Sequence, residues 1–356
     1  MVNKRLDELT FEDWAHAVLP EWGQWLAEEI ERAEVAPGTC ALWWLGNMGV
    51  WIRDDAGTNL AIDVWCGTGK RTHDLPPMGP THHYRRMAGA LTPQPSRRAI
   101  PMLLDPFQLP HLDALLATHP HHDHIDRFVA AGYVRSQPDD ARFVGPQAAV
   151  DQWLAWGVPA ERCCVVHPGD VLQVGTAQVE VVESFDRTML ITDLGAGAPD
   201  AEGLPNMDEL AVGYVVRTSA AGIYHGGDSQ FSVRMYEQGR AHQVDVALVA
   251  FGENPPGIQD KMTSSDILRT AEALGCELVV PLHWDAWANS LADPHEVLEL
   301  WRMRRERMRY RFHPLCWMPG GSLVWPRDRE LQEYAHPRGL DDAGSVPSSL
   351  PYPSFL

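Results

Sequence analysis

A short segment in the middle of the chain carries four side chains that commonly bind metal ions: His119, His121, Asp123 and His124. The segment follows the apolar run 114–117, which predicts a strand that ends in a ligand loop. Alternate residues of an extended chain face the same way, so His119 and His121 would point into one cavity. Burying four such side chains in one cavity without a metal ion would leave several polar groups unpaired, which is unfavourable in free energy. We therefore interpret the segment as a metal site rather than as a surface histidine cluster.

Two later strand ends carry further side chains of the same kind. Asp228 follows an apolar run and two glycines, which allow a close approach of the backbone. A carboxylate in that place can bridge two cations. His283 ends the apolar run 279–282. Alone, each would be an ordinary turn or structural residue, but together with the histidine-rich segment they predict a dinuclear site built from loops at one edge of a sheet.

The elements that must position these residues follow from the apolar periodicity. Runs at 41–45, 49–53 and 59–63 predict an antiparallel meander. Residues 66–110 predict a long excursion over the surface, with some helix around 84–90. Further strands are predicted at 142–144, 164–166, 171–174, 178–183, 209–217, 222–225, 245–251, 278–282 and 322–325, and helices at 126–134, 147–156, 264–274 and 294–310. Meanders followed by helices occur twice, which predicts an α+β fold with two sheets packed face to face and helices outside.

Composition divides the chain into three parts. Residues 1–37 predict an N-terminal helical extension, because a capping pattern is followed by apolar residues at helical spacing, and Pro20 predicts a break in it. Residues 38–329 form the main domain, which contains the candidate ligands. Residues 330–356 are rich in Pro, Ser and Asp, yet they also carry aromatic residues. Disorder and docking, on the body or on a neighbouring subunit, are both compatible with such a tail.

The charge balance narrows the range of partners. The chain has 29 Lys and Arg against 48 Asp and Glu, which gives a net charge of −19 at pH 7. Such a field repels nucleic acid and anionic membranes, although a local basic pocket still permits a small anionic substrate. The longest apolar runs are too short to span a bilayer. Six cysteines without a C-x-x-C pair, and the lack of an export signal, predict reduced thiols and a cytoplasmic protein.

The candidate ligands and several other short motifs resemble those of a known family. The histidine-rich segment, Asp228, His283 and Asp63 at the end of the third strand resemble the ligand pattern of the metallo-β-lactamase superfamily. Further motifs are similar to those of its L-ascorbate-6-phosphate lactonase family, and they lie at 43–46, 65–70, 104–107, 185–188, 252–255 and 260–264. The resemblance extends from 20–23 to 354–356, which favours a tail that docks as part of the fold.

This resemblance implies a four-layer αββα sandwich, the metallo-β-lactamase fold, in a cytoplasmic homo-oligomer for which a hexamer is favoured. It also implies a divalent metal, with Mn²⁺ expected and Zn²⁺ as the alternative. The implied reaction opens the lactone ring of L-ascorbate 6-phosphate to give 3-keto-L-gulonate 6-phosphate. A divalent cation suits this reaction, because it lowers the pKa of a water molecule and polarises a carbonyl group.

The family pattern gives each candidate residue a role. His119 and His121 would hold one metal position and a second set would hold the other, with Asp228 bridging the two. The second set consists of Asp123, His124 and His283. If a single ion is bound, Asp123 or Asp228 is free to act as a general base, so both are candidate catalytic residues. Asp63 would orient the metal loop through hydrogen bonds.

One expected ligand is missing from the sequence. Many relatives in the superfamily carry a further histidine on a strand before the bridging aspartate, whereas that strand ends here at 183–186. Either Asp186 substitutes for this histidine, or the metal position is weak or empty. A ligand set richer in carboxylates favours a harder ion such as Mn²⁺ over Zn²⁺.

Phosphate recognition has three candidates within the family-like motifs: Lys70, Arg187 and Lys261. Each could form charge-assisted hydrogen bonds with the 6-phosphate. Surface salt bridges for the two lysines, and a contact with a ligand carboxylate for Arg187, are the alternatives.

Two other functions are compatible with the same residues. A metal-dependent phosphodiesterase would use the site on small or cyclic phosphate esters. A non-catalytic sugar-phosphate binder would keep the fold without turnover. Substrate assays and substitution of the metal ligands would separate these functions from a lactonase.

Overall fold

Two mixed β-sheets of seven strands each form the centre of the molecule. The computed structural model describes residues 4–18, 25–70, 96–189, 206–254, 260–287 and 290–336. Its strands are β1 (Cys40–Gly46), β2 (Gly49–Asp54), β3 (Asn59–Ile62), β4 (Gly69–Lys70), β5 (Ser96–Arg97), β6 (Ala114–Leu116), β7 (Arg142–Gly145), β8 (Cys163–Val165), β9 (Val171–Val174), β10 (Ala177–Glu183), β11 (Val212–Arg217), β12 (Gly222–His225), β13 (Val246–Ala250), β14 (Leu278–Leu282), β15 (His313–Pro314) and β16 (Ser322–Trp325).

Helices lie between and around these strands. They are α1 (Phe11–Val18), α2 (Trp25–Arg32), α3 (Arg127–Ser136), α4 (Gln147–Trp156), α5 (Met207–Leu210), α6 (Met235–Ala241), α7 (Ser264–Leu274) and α8 (His295–Met308), with 3-10 turns at Leu6–Glu8 and Ala160–Arg162. Among the helices of the described segments, none combines the length and the apolarity needed to cross a membrane.

Each sheet joins an antiparallel half to a parallel half. The first sheet has the strand order β16-β1-β2-β3-β6-β7-β8, and the second has the order β15-β14-β13-β12-β11-β10-β9. Pairing in the first sheet is antiparallel from β16 to β3 and parallel from β3 to β8. Pairing in the second is parallel from β15 to β12 and antiparallel from β12 to β9. β4 and β5 pair separately as a short ribbon.

The sheets pack face to face because their central strands are apolar on both sides. β1, β13 and β14 are buried along their whole length, as expected for strands that are covered on both faces. The core between the sheets includes Trp44, Tyr214 and Trp317. A second apolar cluster joins the first sheet to α1–α4, and a third joins the second sheet to α6–α8. The resulting order of layers is the predicted αββα sandwich.

The N-terminal helices are part of the outer layer that covers the first sheet. The predicted cap is present, since the Thr10 N–H donates to Asp13 Oδ2 at 3.0 Å and α1 begins at the next residue. Trp14 and Leu26 are buried in the same apolar cluster as the first sheet. At the other end of the chain, the Tyr334 hydroxyl accepts the Ser322 N–H at 3.3 Å. The start of the predicted tail therefore packs on β16.

The predicted strands and helices of the main domain are confirmed with small shifts at their ends, with one larger error. The strand predicted at 209–217 is wrong at its start, because α5 occupies the beginning of that range and β11 begins at Val212. The Asn206 side chain accepts the Asp208 N–H at 3.3 Å and so caps a helical turn. The predicted break at Pro20, the helix around 84–90 and the tail from 337 onward lie outside the described residues.

The strand directions bring the candidate ligands to one edge of the sandwich. β10, β12 and β14 run in the same direction in the second sheet. Asp186, Asp228 and His283 follow their carboxyl ends, and the histidine-rich segment follows β6 of the first sheet. At this edge the Val212 N–H donates to Thr118 O at 2.9 Å and ties the two sheets together. Loops that are far apart in sequence therefore share one space.

Candidate metal centre

The loop after β6 is held in shape by its own hydrogen bonds and by Asp63. The Thr118 N–H and hydroxyl both donate to the Asp63 carboxylate, at 2.8 and 2.7 Å. The His124 N–H donates to His121 O at 2.9 Å, which closes a turn. Within this loop His119 Nε2 and His121 Nδ1 lie 2.9 Å apart. The sequence-based expectation that these two imidazoles share one space is confirmed.

Seven side chains at this edge form overlapping donor groups. In each group the nitrogen or oxygen atoms that could bind a cation lie within 4.8 Å of one another. We name His119, His121 and Asp186 the first donor group, and Asp123, His124 and His283 the second donor group. A third combination, formed by His119, His124 and Asp228, connects the two. All six predicted ligands are therefore brought together, and Asp186 joins them where the sequence lacks a histidine.

Asp228 lies at the centre of this arrangement. Its Oδ1 is 3.3 Å from His124 Nε2 and 3.4 Å from His283 Nε2. Its Oδ2 accepts a hydrogen bond from Lys261 Nζ at 2.7 Å. One oxygen is therefore fixed by an ammonium group, and the other faces the imidazoles.

The atoms best placed to bind a cation are buried and lack partners. His124 Nε2, His283 Nε2, Asp228 Oδ1 and Asp186 Oδ2 have no hydrogen-bond partner among the described residues. Leaving a buried polar atom unsatisfied costs about 1–3 kcal/mol each. Here the unsatisfied atoms all belong to the donor groups and converge on one space. A bound cation would satisfy them together, so the residues present fit a metal site.

The charges of the site are set by burial and by close carboxylates. Burial lowers the pKa of His121 to about 4 and holds the pKa of His119 well below its usual value, so both imidazoles are neutral. Burial would also lower the pKa of His124, but Asp228, Asp63 and Asp123 raise that pKa well above its usual value. In the metal-free protein a proton therefore occupies His124, and a cation would displace it.

The carboxylates of the site differ in their affinity for protons. Burial would raise the pKa of Asp228, but Lys261, His124 and His283 hold that pKa well below its usual value. At Asp186, burial and the charge of Asp228 outweigh the hydrogen bond from Thr188 and the charge of Lys261, and they raise its pKa to about 7. Asp228 is ionised at neutral pH, whereas Asp186 is poised between its two forms.

Asp63 and two backbone features support this geometry. The Asp63 carboxylate lies 2.9 Å from His124 Nδ1, which orients that imidazole so that Nε2 faces Asp228. Asp63 and His283 both have left-handed backbone conformations, with φ values of 54° and 71°. Such strained residues cluster at functional sites, where the surrounding structure must hold them. The contacts that the predicted orienting role of Asp63 requires are present, and the role itself stays a prediction.

The three candidates for phosphate binding lie in different surroundings. Lys261 is buried within the donor groups and is also 3.3 Å from Asp260 Oδ2, so it does not form the surface salt bridge considered above. The Arg187 side chain is exposed, next to buried Asp186. Lys70 belongs to β4, but its side chain lies outside the described part of the structure. A phosphate contact stays a prediction for each of them.

Sequence reasoning missed several residues that contact the ligands. Trp287 Nε1 donates to Asp123 Oδ2 at 2.9 Å, and Asn47 Nδ2 donates to Asp123 O at 2.7 Å. The partnership of Lys261 with Asp228 was also missed. No spacing rule joins these pairs, because each is formed between distant loops. The only local signal for Trp287 in the sequence is its position, four residues after the strand-end His283.

Replacing Trp287 by phenylalanine is expected to weaken Mn²⁺ binding about 10-fold, because hydrogen-bond partners of metal ligands typically contribute 10- to 100-fold in affinity. The aromatic ring keeps its packing against Trp65, whose ring centroid is 4.8 Å away, and only the N–H donor is lost. Titration of free Mn²⁺ by electron paramagnetic resonance would measure the change. Trp284→Phe is the matched control, because the indole N–H of Trp284 forms its hydrogen bond with Pro281 O rather than with a candidate metal ligand. Equal losses in both variants would show that the effect is unspecific.

Comparison with known proteins agrees with the geometry. A family model described as "Beta-lactamase superfamily domain" matches residues 87–284. The probable L-ascorbate-6-phosphate lactonase UlaG of Escherichia fergusonii is 49% identical over 353 residues, which cover 99% of this chain and 99% of that protein.

Two solved structures share the fold at low sequence identity. Igni18, a metallo hydrolase from the archaeon Ignicoccus hospitalis, has a TM-score of 0.54 at 17% identity, covering 81% of this chain and 98% of that chain. The isothiocyanate hydrolase from Delia radicum gut bacteria has a TM-score of 0.57 at 16% identity, covering 80% of this chain and 98% of that chain. These likenesses show the architecture, while the family follows from the much higher identity to the lactonases. The chain belongs to the L-ascorbate-6-phosphate lactonase family of the metallo-β-lactamase superfamily.

Proposed function

We propose that the protein is a metal-dependent hydrolase that opens the lactone ring of L-ascorbate 6-phosphate to give 3-keto-L-gulonate 6-phosphate. The observation that carries the hydrolytic function is the set of buried, unpartnered ligand atoms that converge around Asp228. The substrate is that of the relatives named as lactonases, which match over 99% of the chain. Small or cyclic phosphate esters are the alternative substrates for the same site.

The first and second donor groups would each hold a divalent cation, and Asp228 would contribute to both. Three of the donors are carboxylates and four are imidazoles. Asp186 adds a carboxylate where a histidine was expected, and this favours Mn²⁺ over Zn²⁺, because carboxylates are harder ligands than imidazole or thiolate. When bound, the cation supplies a Lewis acid for the lactone carbonyl and an activated water.

The chain's own residues have separate tasks in this proposal. If a single ion is bound, Asp123 is the better candidate for the general base, because 16% of its side chain is exposed, against 4% for Asp228. Burial would raise the pKa of Asp123, but His124 and His283 hold it well below its usual value, so the carboxylate is ionised at neutral pH. Lys261 keeps Asp228 in place, and Asp63 keeps His124 in place.

A direct assay tests the proposed reaction. Metal-stripped protein is supplied with Mn²⁺ and offered L-ascorbate 6-phosphate, unphosphorylated L-ascorbate and a chromogenic phosphodiester in parallel. We expect ring opening that depends on Mn²⁺ and is fastest with the phosphorylated lactone. Turnover of the diester alone would favour a phosphodiesterase. Binding of the lactone phosphate without turnover would favour a non-catalytic binder.

Metal analysis of protein purified without added metal shows which ion the protein binds. Tight Zn²⁺ at both positions would contradict the preference for Mn²⁺.

The cellular context is also a proposal. All six cysteines are free thiols, which fits a reducing compartment such as the cytoplasm. The net charge of −19 argues against nucleic acid as a partner. The homo-oligomer expected from the family resemblance, with a hexamer favoured, would be tested by light scattering coupled to size-exclusion chromatography.

A further inference from the structure

The turn between β1 and β2 carries a residue with an unusual backbone. Asn47 has φ of 54° and its side chain is buried, with 1% of its surface exposed. A left-handed conformation disfavours most residues with a side chain, although asparagine tolerates it better than others. The hydrogen bonds of this buried residue show which loops it holds in place.

Asn47 makes hydrogen bonds to both loops that supply the second donor group. Its side-chain Nδ2 donates to Asp123 O at 2.7 Å. Its backbone O accepts the N–H of His283 at 3.2 Å, and its backbone N–H donates to the Asp285 carboxylate at 3.1 and 3.2 Å. One residue of the turn between β1 and β2 thus connects the histidine-rich loop to the loop that follows β14.

The connection coincides with the strained part of the site. Four non-glycine residues in the described part of the chain have positive φ, namely Asn47, Asp63, His283 and Arg309. Three of them lie at the donor groups, and Arg309 ends α8. His283 must therefore be held in its left-handed conformation by its surroundings. The hydrogen bond from its N–H to Asn47 O is one such restraint.

One polar atom of the Asn47 side chain does not contribute to the stability of the fold. Its Oδ1 is buried and has no hydrogen-bond partner among the described residues, which is unfavourable for folding. The contact made by Nδ2 is to a backbone oxygen of a candidate ligand, so the asparagine amide orients the ligand loop directly.

We propose that Asn47 is a positioning residue that sets the spacing between Asp123 and His283 and thereby the cation affinity of the second donor group. The proposal rests on the proposed function, because it requires that this group holds a cation. The hydrogen bonds of Asn47 go to Asp123 O, the His283 N–H and the Asp285 carboxylate rather than to the unpartnered ligand atoms. It acts through the two loops that carry the ligands.

Asn47→Gly is the sharpest test. Glycine adopts positive φ readily, so the backbone bonds to His283 and Asp285 remain while the side-chain bond to the Asp123 loop is lost. We expect Mn²⁺ to bind about 10-fold more weakly, in line with other residues that orient metal ligands. The melting temperature of the metal-free protein should change little, because the buried, unpartnered Oδ1 is removed at the same time. Saturating Mn²⁺ should bring kcat back towards the wild-type value.

A second buried asparagine provides a matched control. Asn59, at the start of β3, is 2% exposed, and its Oδ1 accepts the Trp51 Nε1–H at 2.9 Å. Asn59→Gly is expected to lower the melting temperature and to leave the Mn²⁺ affinity unchanged. The two variants therefore separate a general loss of stability from a loss of ligand positioning.

The outcomes distinguish the inference from the function on which it rests. If wild-type protein binds no Mn²⁺, the proposed function fails. If the wild type binds Mn²⁺ and Asn47→Gly binds it equally tightly, the role of Asn47 is overturned. Should the glycine variant not fold, Asn47→Asp keeps the size and the tolerance of positive φ while replacing the N–H donor by an acceptor. Unchanged Mn²⁺ affinity in the aspartate variant would overturn the role as well, and weaker binding would support it.

Discussion

Replacing Asp228 by asparagine is expected to lower kcat/KM for lactone hydrolysis by about 10³-fold, the scale of loss seen when an electrostatic group of an active site is removed. Asparagine has the same shape, but it lacks the negative charge that faces the imidazoles of His124 and His283 at 3.3 and 3.4 Å. The cation content of the purified variant should fall with the activity. Metal analysis and steady-state kinetics on the same preparation would measure both.

The same substitution also removes the main partner of a buried ammonium group. Lys261 lies 2.7 Å from Asp228 Oδ2, and breaking a buried ion pair by removing one partner typically costs about 3–5 kcal/mol. The double variant Asp228→Asn/Lys261→Met removes both charges, so it should regain much of the stability lost in the single variant. We expect it to stay inactive. Recovered activity in the double variant would mean that Asp228 serves only as the counter-ion of Lys261.

The fold and the local part of the site could be predicted because their signals are contiguous in sequence. The segment 119–124 carries its ligands within one loop, and the apolar runs before Asp228 and His283 mark strand ends. The antiparallel meander follows from apolar runs separated by turn signals, and α7 coincides with the helix predicted at 264–274. Each of these features depends on residues a few positions apart.

The contacts between loops could not be predicted in the same way. Asn47 and Asp123 are separated by 76 positions, Trp287 and Asp123 by 164, and Lys261 and Asp228 by 33. Asn47 and Asp123 meet at the edge of the first sheet, and Lys261 and Asp228 meet at the edge of the second, whereas Trp287 reaches Asp123 from the other sheet. Each meeting therefore depends on strand order and direction. The sequence suggested a phosphate contact for Lys261 because its charge is visible there, whereas its burial against a ligand carboxylate is not.

The first donor group owes its pH dependence to one residue. Burial keeps the imidazoles of His119 and His121 neutral, with the pKa of His121 at about 4. Burial and the charge of Asp228 raise the pKa of Asp186 to about 7. Below that pH a proton occupies the carboxyl group and competes with the cation; above it the carboxylate is free to bind. Cation affinity at this group should therefore rise as pH increases from 6 to 8.

Asp186→Asn is expected to abolish binding of the cation held by the first donor group, because a neutral amide is a much weaker ligand than the carboxylate whose Oδ2 lies 3.8 Å from His119 Nε2. Mn²⁺ titrations at pH 6, 7 and 8 should show one ion fewer per chain than in the wild type. The remaining ion should lack the pH dependence that Asp186 contributes. If wild type and variant bind the same number of ions at pH 8, the first donor group holds no cation. Catalysis would then depend on the second donor group and Asp228, which the loss of activity in Asp228→Asn tests independently.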